Sequence, residues 1–217
     1  MTAFIRPYKP SDWDNTAYIC RATLPPSLQA SEPAIRLAPY IWTHPFTVLS
    51  PACCFVVDDG DGRAVGYIVG TPDVHRMAAV YGRYVAVLTG KEEEEEEEAA
   101  DDDGDSGGGI TVVPAAARAQ ARQDRALVAA DAQPVAYTAM LHINLLPGYQ
   151  AAGWGRKLIT TYLAAAARAG ARGVHLGVSG ENTKVVPFYE RMGFRVTPGG
   201  EGEGNVWMVR EVEPAPE

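Results

Sequence analysis

The sequence is short of cysteine, of long apolar runs and of one familiar phosphate-binding pattern, and each shortage closes off a class of function. Three cysteines in 217 residues, two of them adjacent at Cys53 and Cys54, make neither a disulfide framework nor the paired spacing of a zinc site. No metal is therefore expected, and the adjacent pair reads as strand residues rather than nucleophiles. No stretch approaches the ~18 uninterrupted apolar residues of a membrane span, so no membrane partner is expected. The opening MTAFIRPYKPSDWD lacks the apolar run and small-residue cleavage site of a secretory signal. With the cysteine usage, this predicts an intracellular protein, cytoplasmic or nuclear. The P-loop pattern G-x-x-x-x-G-K-[ST] is absent too.

What is plentiful is acid, in one place. The formal net charge is −8, yet eleven of the 27 acids lie between Glu92 and Asp105. Without them sixteen acids face nineteen bases, which leaves a body of +3. That mild excess suits an anionic ligand, and no nucleic-acid partner is expected. The tract KEEEEEEEAADDDGDSGGG, residues 91 to 109, combines like charges with glycine and has no apolar surface to bury. It predicts a disordered insertion within a single domain spanning residues 1 to 217. The use it offers is screening, or recruiting a basic partner.

Along the chain, Phe4 to Arg6 reads as a strand and a helix follows from about Asp12, with Ser11 as N-cap. The proline-rich stretch 31–51 predicts short helices. Cys54 to Asp58 and Ala64 to Thr71 flank an Asp/Gly turn, the clearest hairpin signal. A helix is expected after Asp73, and another over residues 112–131, closed by Pro134. The last third alternates strand (137–146), helix (153–169), strand (173–178), a helix from Thr183 to Met192, and two closing strands. A strand–helix–strand unit in parallel needs a right-handed crossover. The reading is α/β, a mixed sheet with helices on both faces.

The specific stretch is LLPGYQAAGWGRKLI, 145 to 159. Gly153 and Gly155 open a helix although glycine there costs roughly 1 kcal/mol against alanine. The first N–H groups of a helix lack internal partners and sit at the positive end of its dipole. Glycines let an anion approach them closely. Gly153-x-Gly155 lacks the third glycine of a dinucleotide fingerprint and lies late in the chain; alone it fits an anion site and a structural turn equally.

Gln150-x-x-Gly153-x-Gly155, followed by Arg156, resembles the acetyl-CoA pyrophosphate loop of the GNAT superfamily of N-acetyltransferases. ENTKVVPFYERMGF resembles that superfamily's second motif, through Asn182, Tyr189 and Gly193-Phe194. IRPYKPSD and AVGYIVGT resemble its opening strands, so the likeness covers most of the chain outside 73–134. A narrower likeness is to the acetyltransferase-like domain attached to O-GlcNAcase and to its stand-alone microbial relatives, which usually read Asp where this chain has Asn144.

The resemblance implies a mostly antiparallel sheet with a parallel, splayed strand pair. It implies acetyl-CoA as co-substrate, with transfer to a primary amine by direct attack. The cofactor-binding residues would be Leu145 and Leu146 for the pantetheine arm, Gln150, Ala151, Ala152, Gly153, Trp154, Gly155 and Arg156 for the diphosphate, and Asn182 for the arm. Tyr189 would protonate the leaving thiolate; without the family it reads as a core aromatic. For the base, His142 ranks first, sharing a strand face with Asn144, ahead of His175 and Asp73. Lys157 joins Arg156 as a phosphate neighbour or a solvated basic face. The competing function is a non-catalytic module that keeps the fold and binds acetyl-CoA or a protein partner.

Overall fold

The hairpin expected around the Asp/Gly turn forms. In the computed structural model, which describes residues 2–90, 137–202 and 204–214 (main chain alone at 199–202), β2 (Phe55–Asp58) and β3 (Ala64–Thr71) pair antiparallel. The Asp58 carboxylate closes the turn by accepting the N–H groups of Gly60 and Gly62 at 2.9 and 3.0 Å. β1 (Phe4–Pro7) adds antiparallel to β2. The acidic insertion expected at 91–109, the helix expected over 112–131 and Pro134 lie outside the described residues.

Arg6 on β1 decides where the first helix starts. Its guanidinium reaches Asp12 and Asp58 at 2.7 Å each, with little of any of the three side chains exposed. The Asp12 carboxylate also accepts the Lys9 N–H at 2.8 Å. α1 (Trp13–Ala22) therefore begins after Asp12. Ser11 does not cap it, because a buried, fully paired carboxylate at the next residue fixes the chain direction instead. The proline-rich stretch breaks into α2 (Pro26–Gln29), α3 (Glu32–Trp42, capped by Ser31) and α4 (His44–Leu49). Asp73 caps α5 (Val74–Ala79), and α6 (Tyr81–Thr89) follows.

The second half supplies β4 (Ala139–Leu145), α7 (Trp154–Arg168), β5 (Gly173–Ser179), a 3-10 turn (Gly180–Val185), α8 (Val186–Arg191), β6 (Arg195–Gly202) and β7 (Asn205–Glu211). The single helix expected from Thr183 to Met192 is split into a 3-10 turn that ends at Val185 and α8 from Val186, since Pro187 has no N–H and fits only the first turn of a helix. The seven strands run β1-β2-β3-β4-β5-β7-β6, and every pairing but β4–β5 is antiparallel.

Two apolar cores sandwich the sheet. Leu158, Ile159 and Tyr162 of α7 pack with Ile68, Leu141, Leu176 and Met208 on one face. Ile19 and Cys20 of α1, Ala38 of α3 and Phe46 of α4 pack with Tyr67, Val69 and Met140 on the other. β3 is buried along its whole length because both faces are covered. Among the described residues no helix is long and apolar enough to cross a membrane.

One feature of the sheet makes a site. β4 and β5 share only two residue pairs, Ala139 with Val174 and Met140 with His175. β5 nevertheless stays paired with β7 over all seven of its residues, and β4 stays paired with β3. The two strands therefore part company from Leu141 onward and leave a wedge. At the closed end, the Tyr162 hydroxyl lies 2.9 Å from both the Thr71 and Met140 carbonyls.

Candidate active site

The register fixes which main-chain groups face the wedge. The Leu146 N–H is donated to the Val65 carbonyl at 3.0 Å, and residues opposite each other in an antiparallel ladder exchange bonds at alternate positions. Asn144 and His142 thus bond to β3, and Ile143 and Leu145 turn their N–H and C=O groups towards the wedge. Leu146 itself offers no main-chain group, since its carbonyl accepts the Tyr149 N–H at 2.8 Å. At the end of β4 the main-chain groups that face the wedge are thus those of Ile143 and Leu145, and not of both members of the expected pair Leu145 and Leu146. The reason is the two-residue period of the strand. The Gln150 side chain, expected at a diphosphate, donates Nε2 to the Leu145 carbonyl at 2.8 Å.

Beyond β4 the chain turns over Pro147–Tyr149 into the glycine loop and α7. Gly153 stands at φ 82°, a conformation open to glycine at no steric cost, and Ala151 adopts φ 58° despite its Cβ. The first hydrogen bond into α7 is from Lys157 N–H to the Gly153 carbonyl, at 3.2 Å. Among the described residues no protein acceptor takes the N–H of any residue from Ala151 to Arg156. Such a run of bare N–H groups at a helix start is an anion cradle, and positive-φ residues bend it concave. Gly155 has a different reason to lack a side chain, because a Cβ there would lie 3.1 Å from the Phe188 ring. Arg156 is exposed at the rim, and the Lys157 ammonium lies 4.3 Å from the centroid of the Trp154 ring.

The side chains named from sequence separate into two groups. Tyr189 lies on α8, half-buried between Phe188 and Phe194 at centroid distances of 5.2 and 5.8 Å. Burial pushes its phenol up to about 12. Asn182 is exposed in the turn after β5, and its side chain makes no hydrogen bond to described residues; the helix-cap role falls to Ser179. His142 and Asn144 point to the α1 face of β4, where the His142 ring lies 5.3 Å from that of Phe46. Asn144 donates Nδ2 to the buried Tyr67 hydroxyl at 2.7 Å, which in turn lies 3.3 Å from the Thr43 hydroxyl.

His175 and Asp73 are not brought to the wedge mouth. His175 is buried where β4 and β5 are still paired, with Nδ1 2.7 Å from the Tyr137 carbonyl. Asp73 accepts the His75 and Arg76 N–H groups as the cap of α5. Among the described residues no three His, Cys, Asp or Glu side chains converge as a metal site. The residues that sequence reasoning missed are Ile143, whose role depends on register, and Tyr67, whose hydroxyl holds Asn144. Both lie at positions whose identity alone carries no signal.

The chain has counterparts among known proteins. A profile of the Acetyltransferase (GNAT) family matches residues 94–194, which hold β4, the glycine loop, α7, β5 and α8. The solved structure of SsHAT is 30% identical, covering 98% of this chain and 100% of that one, with a TM-score of 0.72. This chain belongs to the GNAT acetyltransferase family. The GCN5-related N-acetyltransferase from Kribbella flavida, at 16% identity, covers 97% of this chain and 98% of its own, with a TM-score of 0.53. The NatC complex bound to Gag peptide and CoA gives 13% identity, 98% and 100% coverage and a TM-score of 0.53. At those identities the likeness is one of fold. GNAT membership makes acetyl transfer the general activity class, and it matches the seven-stranded, mostly antiparallel sheet with its parallel β4–β5 pair.

Proposed function

We propose that this GNAT chain transfers acetyl from acetyl-CoA to a primary amine by direct attack, with no acyl-enzyme. The observation that carries the reading is the run of bare N–H groups from Ala151 to Arg156, opening beside the unpaired edge of β4. Those N–H groups, with the dipole of the 15-residue α7 behind them, would hold the diphosphate. Arg156 would add charge at the rim. Ile143 and Leu145 would pair with the amides of the pantetheine arm as a strand does, with the arm taking over the Leu145 carbonyl from Gln150. Asn182 would bond the arm from the β5 side.

In this arrangement the Ile143 N–H, deeper in the wedge than Leu145, would face the thioester carbonyl and stabilise the negative charge that develops on its oxygen. The amine lone pair attacks the carbonyl carbon, and collapse of the tetrahedral species breaks the carbon–sulfur bond. His142, on the α1 face of β4, would take the amine's proton, directly or through water. Tyr189 would give its phenolic proton to the thiolate. Its raised pKa keeps it protonated across the neutral range, which is the form an acid needs.

A second reading has one observation behind it. Asn144 binds Tyr67 and puts a neutral amide, not a carboxylate, beside the wedge. A non-catalytic module that binds acetyl-CoA or a protein partner would tolerate that. Thermal unfolding with acetyl-CoA, followed by a screen of amines for free-thiol release, separates the possibilities. Cofactor at a hundredfold above its dissociation constant should stabilise the protein by about 2.7 kcal/mol. Gly153→Asp, which sets a carboxylate against the diphosphate, should remove the shift. An unchanged melting curve at millimolar acetyl-CoA overturns the cofactor claim; binding without thiol release from any amine favours the module.

A further inference from the structure

The wedge has a second wall, and a carboxylate fastens it. β1 and β3 run from the open end of the wedge to the closed end, and α1 returns the other way: its Tyr18 ring lies 6.0 Å from the Arg63 guanidinium, just before β3. The strap between α1 and α3, residues 23–31, therefore arrives at the open end. There Ser27 of α2 donates its N–H to Glu181 Oε2 at 3.1 Å and its hydroxyl to Glu181 Oε1. Glu181 belongs to the turn that follows β5. This contact joins the helical layer over β3 and β4 to the end of β5, and so spans the gap between the parted strands.

The two sides of the contact differ in how firmly they are held. Glu181 stands on a fixed platform. Its N–H is donated to the Ser179 hydroxyl at 3.3 Å, and the adjacent Gly180 N–H to the Gly204 carbonyl at 2.6 Å. The strap is anchored at its start by Leu24, buried in the core, but α2 beyond it is held more lightly. α2 has four residues, none of them buried, and its other ties are half-buried Leu28 and the Gln29 amide on the Leu24 carbonyl at 2.7 Å. Glu181 is exposed, and among the described residues no ion pair includes it.

Ser27 thus presents two neutral donors, one to each oxygen of a carboxylate. What displaces two neutral donors from a carboxylate is a cationic donor group, which adds the attraction of a full opposite charge to the same hydrogen bonds. We propose that Glu181 is the docking carboxylate for a second positive charge on the acceptor amine, with Ser27 as its placeholder. The acceptors favoured are then amines carrying another ammonium or guanidinium group. This rests on the N-acetyltransferase reading, which puts an amine in the wedge. Binding the far cation to Glu181 moves the strap aside and leaves the reacting amine free to lose its proton.

The test uses the full chain and α,ω-diamines of three to six carbons, each against the monoamine of the same length. Calorimetry gives the affinities, and the Ser27 amide resonance reports displacement. The best diamine should bind about three- to fivefold tighter than its monoamine at low salt, as for an exposed ion pair, and lose that margin in high salt. Glu181→Gln keeps a partner for Ser27 and should erase the margin; Ser27→Ala should widen it. Equal binding of di- and monoamine by the parent, or a margin that survives Glu181→Gln, overturns the proposal. A margin present without thiol release from acetyl-CoA supports the docking role and overturns the transferase reading instead.

Discussion

The acid role proposed for Tyr189 rests on a single atom. Replacing it with phenylalanine keeps the ring between Phe188 and Phe194 and removes only the hydroxyl. Stability and acetyl-CoA binding should therefore hold. Positioned acid catalysis is worth typically 10²- to 10⁴-fold, so kcat should fall within about that range while KM changes little. Because burial raises the phenol to about 12, the acid form is present below that pH and is lost only above it. Any pH dependence of kcat near neutrality should thus survive in Tyr189→Phe. A neutral-range limb that disappears with the hydroxyl would assign that titration to Tyr189 and refute the raised pKa. At this scale the sequence was half legible. Gly153 and Gly155 read as one motif, yet one is required by its positive φ and the other by the Phe188 ring. A contact between residues 33 positions apart leaves no local trace.

Among the elements, those whose signals are local were legible from the start. The β2–β3 hairpin followed from an Asp/Gly turn between β-rich runs, and α7 from its apolar stripe after a glycine loop. Register was not legible, because which groups of β4 face the wedge is decided by the pairing of Leu146 with Val65. The start of α1 was legible to within one residue, but its cap was not, since the Asp12 carboxylate is held by Arg6, which also binds Asp58. α7 also contributes something its stripe did not announce. Its Tyr162 hydroxyl reaches the Thr71 and Met140 carbonyls, tying the ends of β3 and β4 to the helix. Tyr162→Phe keeps the packing and strips those buried carbonyls of that partner. It should cost about 1–3 kcal/mol in urea unfolding, with an unchanged m-value. A cost near zero would mean that the strand ends are satisfied without it.

For the whole molecule, charge and fold are separable properties. Deleting residues 92–109 takes the net charge from −8 to +3, because all eleven acids of the tract go and no base does. A charged, glycine-rich tract has no apolar surface to give a core. The deletion should unfold in one cooperative transition and bind acetyl-CoA as the parent does. Loss of cooperativity would show that the tract belongs to the fold.

The narrow β4–β5 seam has a mechanical consequence. Two residue pairs join β1 to β4 with β5 to β7, so the sheet is two plates meeting along a short joint, and the angle between them should be its softest coordinate. Hydrogen exchange should report this directly. The amides of Ile143 and Leu145 should exchange orders of magnitude faster than those of Asn144 and His142, their neighbours in the same strand, which are bonded to β3. Acetyl-CoA should slow the first pair towards the second, and with them the plates' breathing. On that view the ligand is a removable strand. The energy it spends on bracing the two plates against each other is withheld from affinity, and it returns when the product leaves and the joint relaxes.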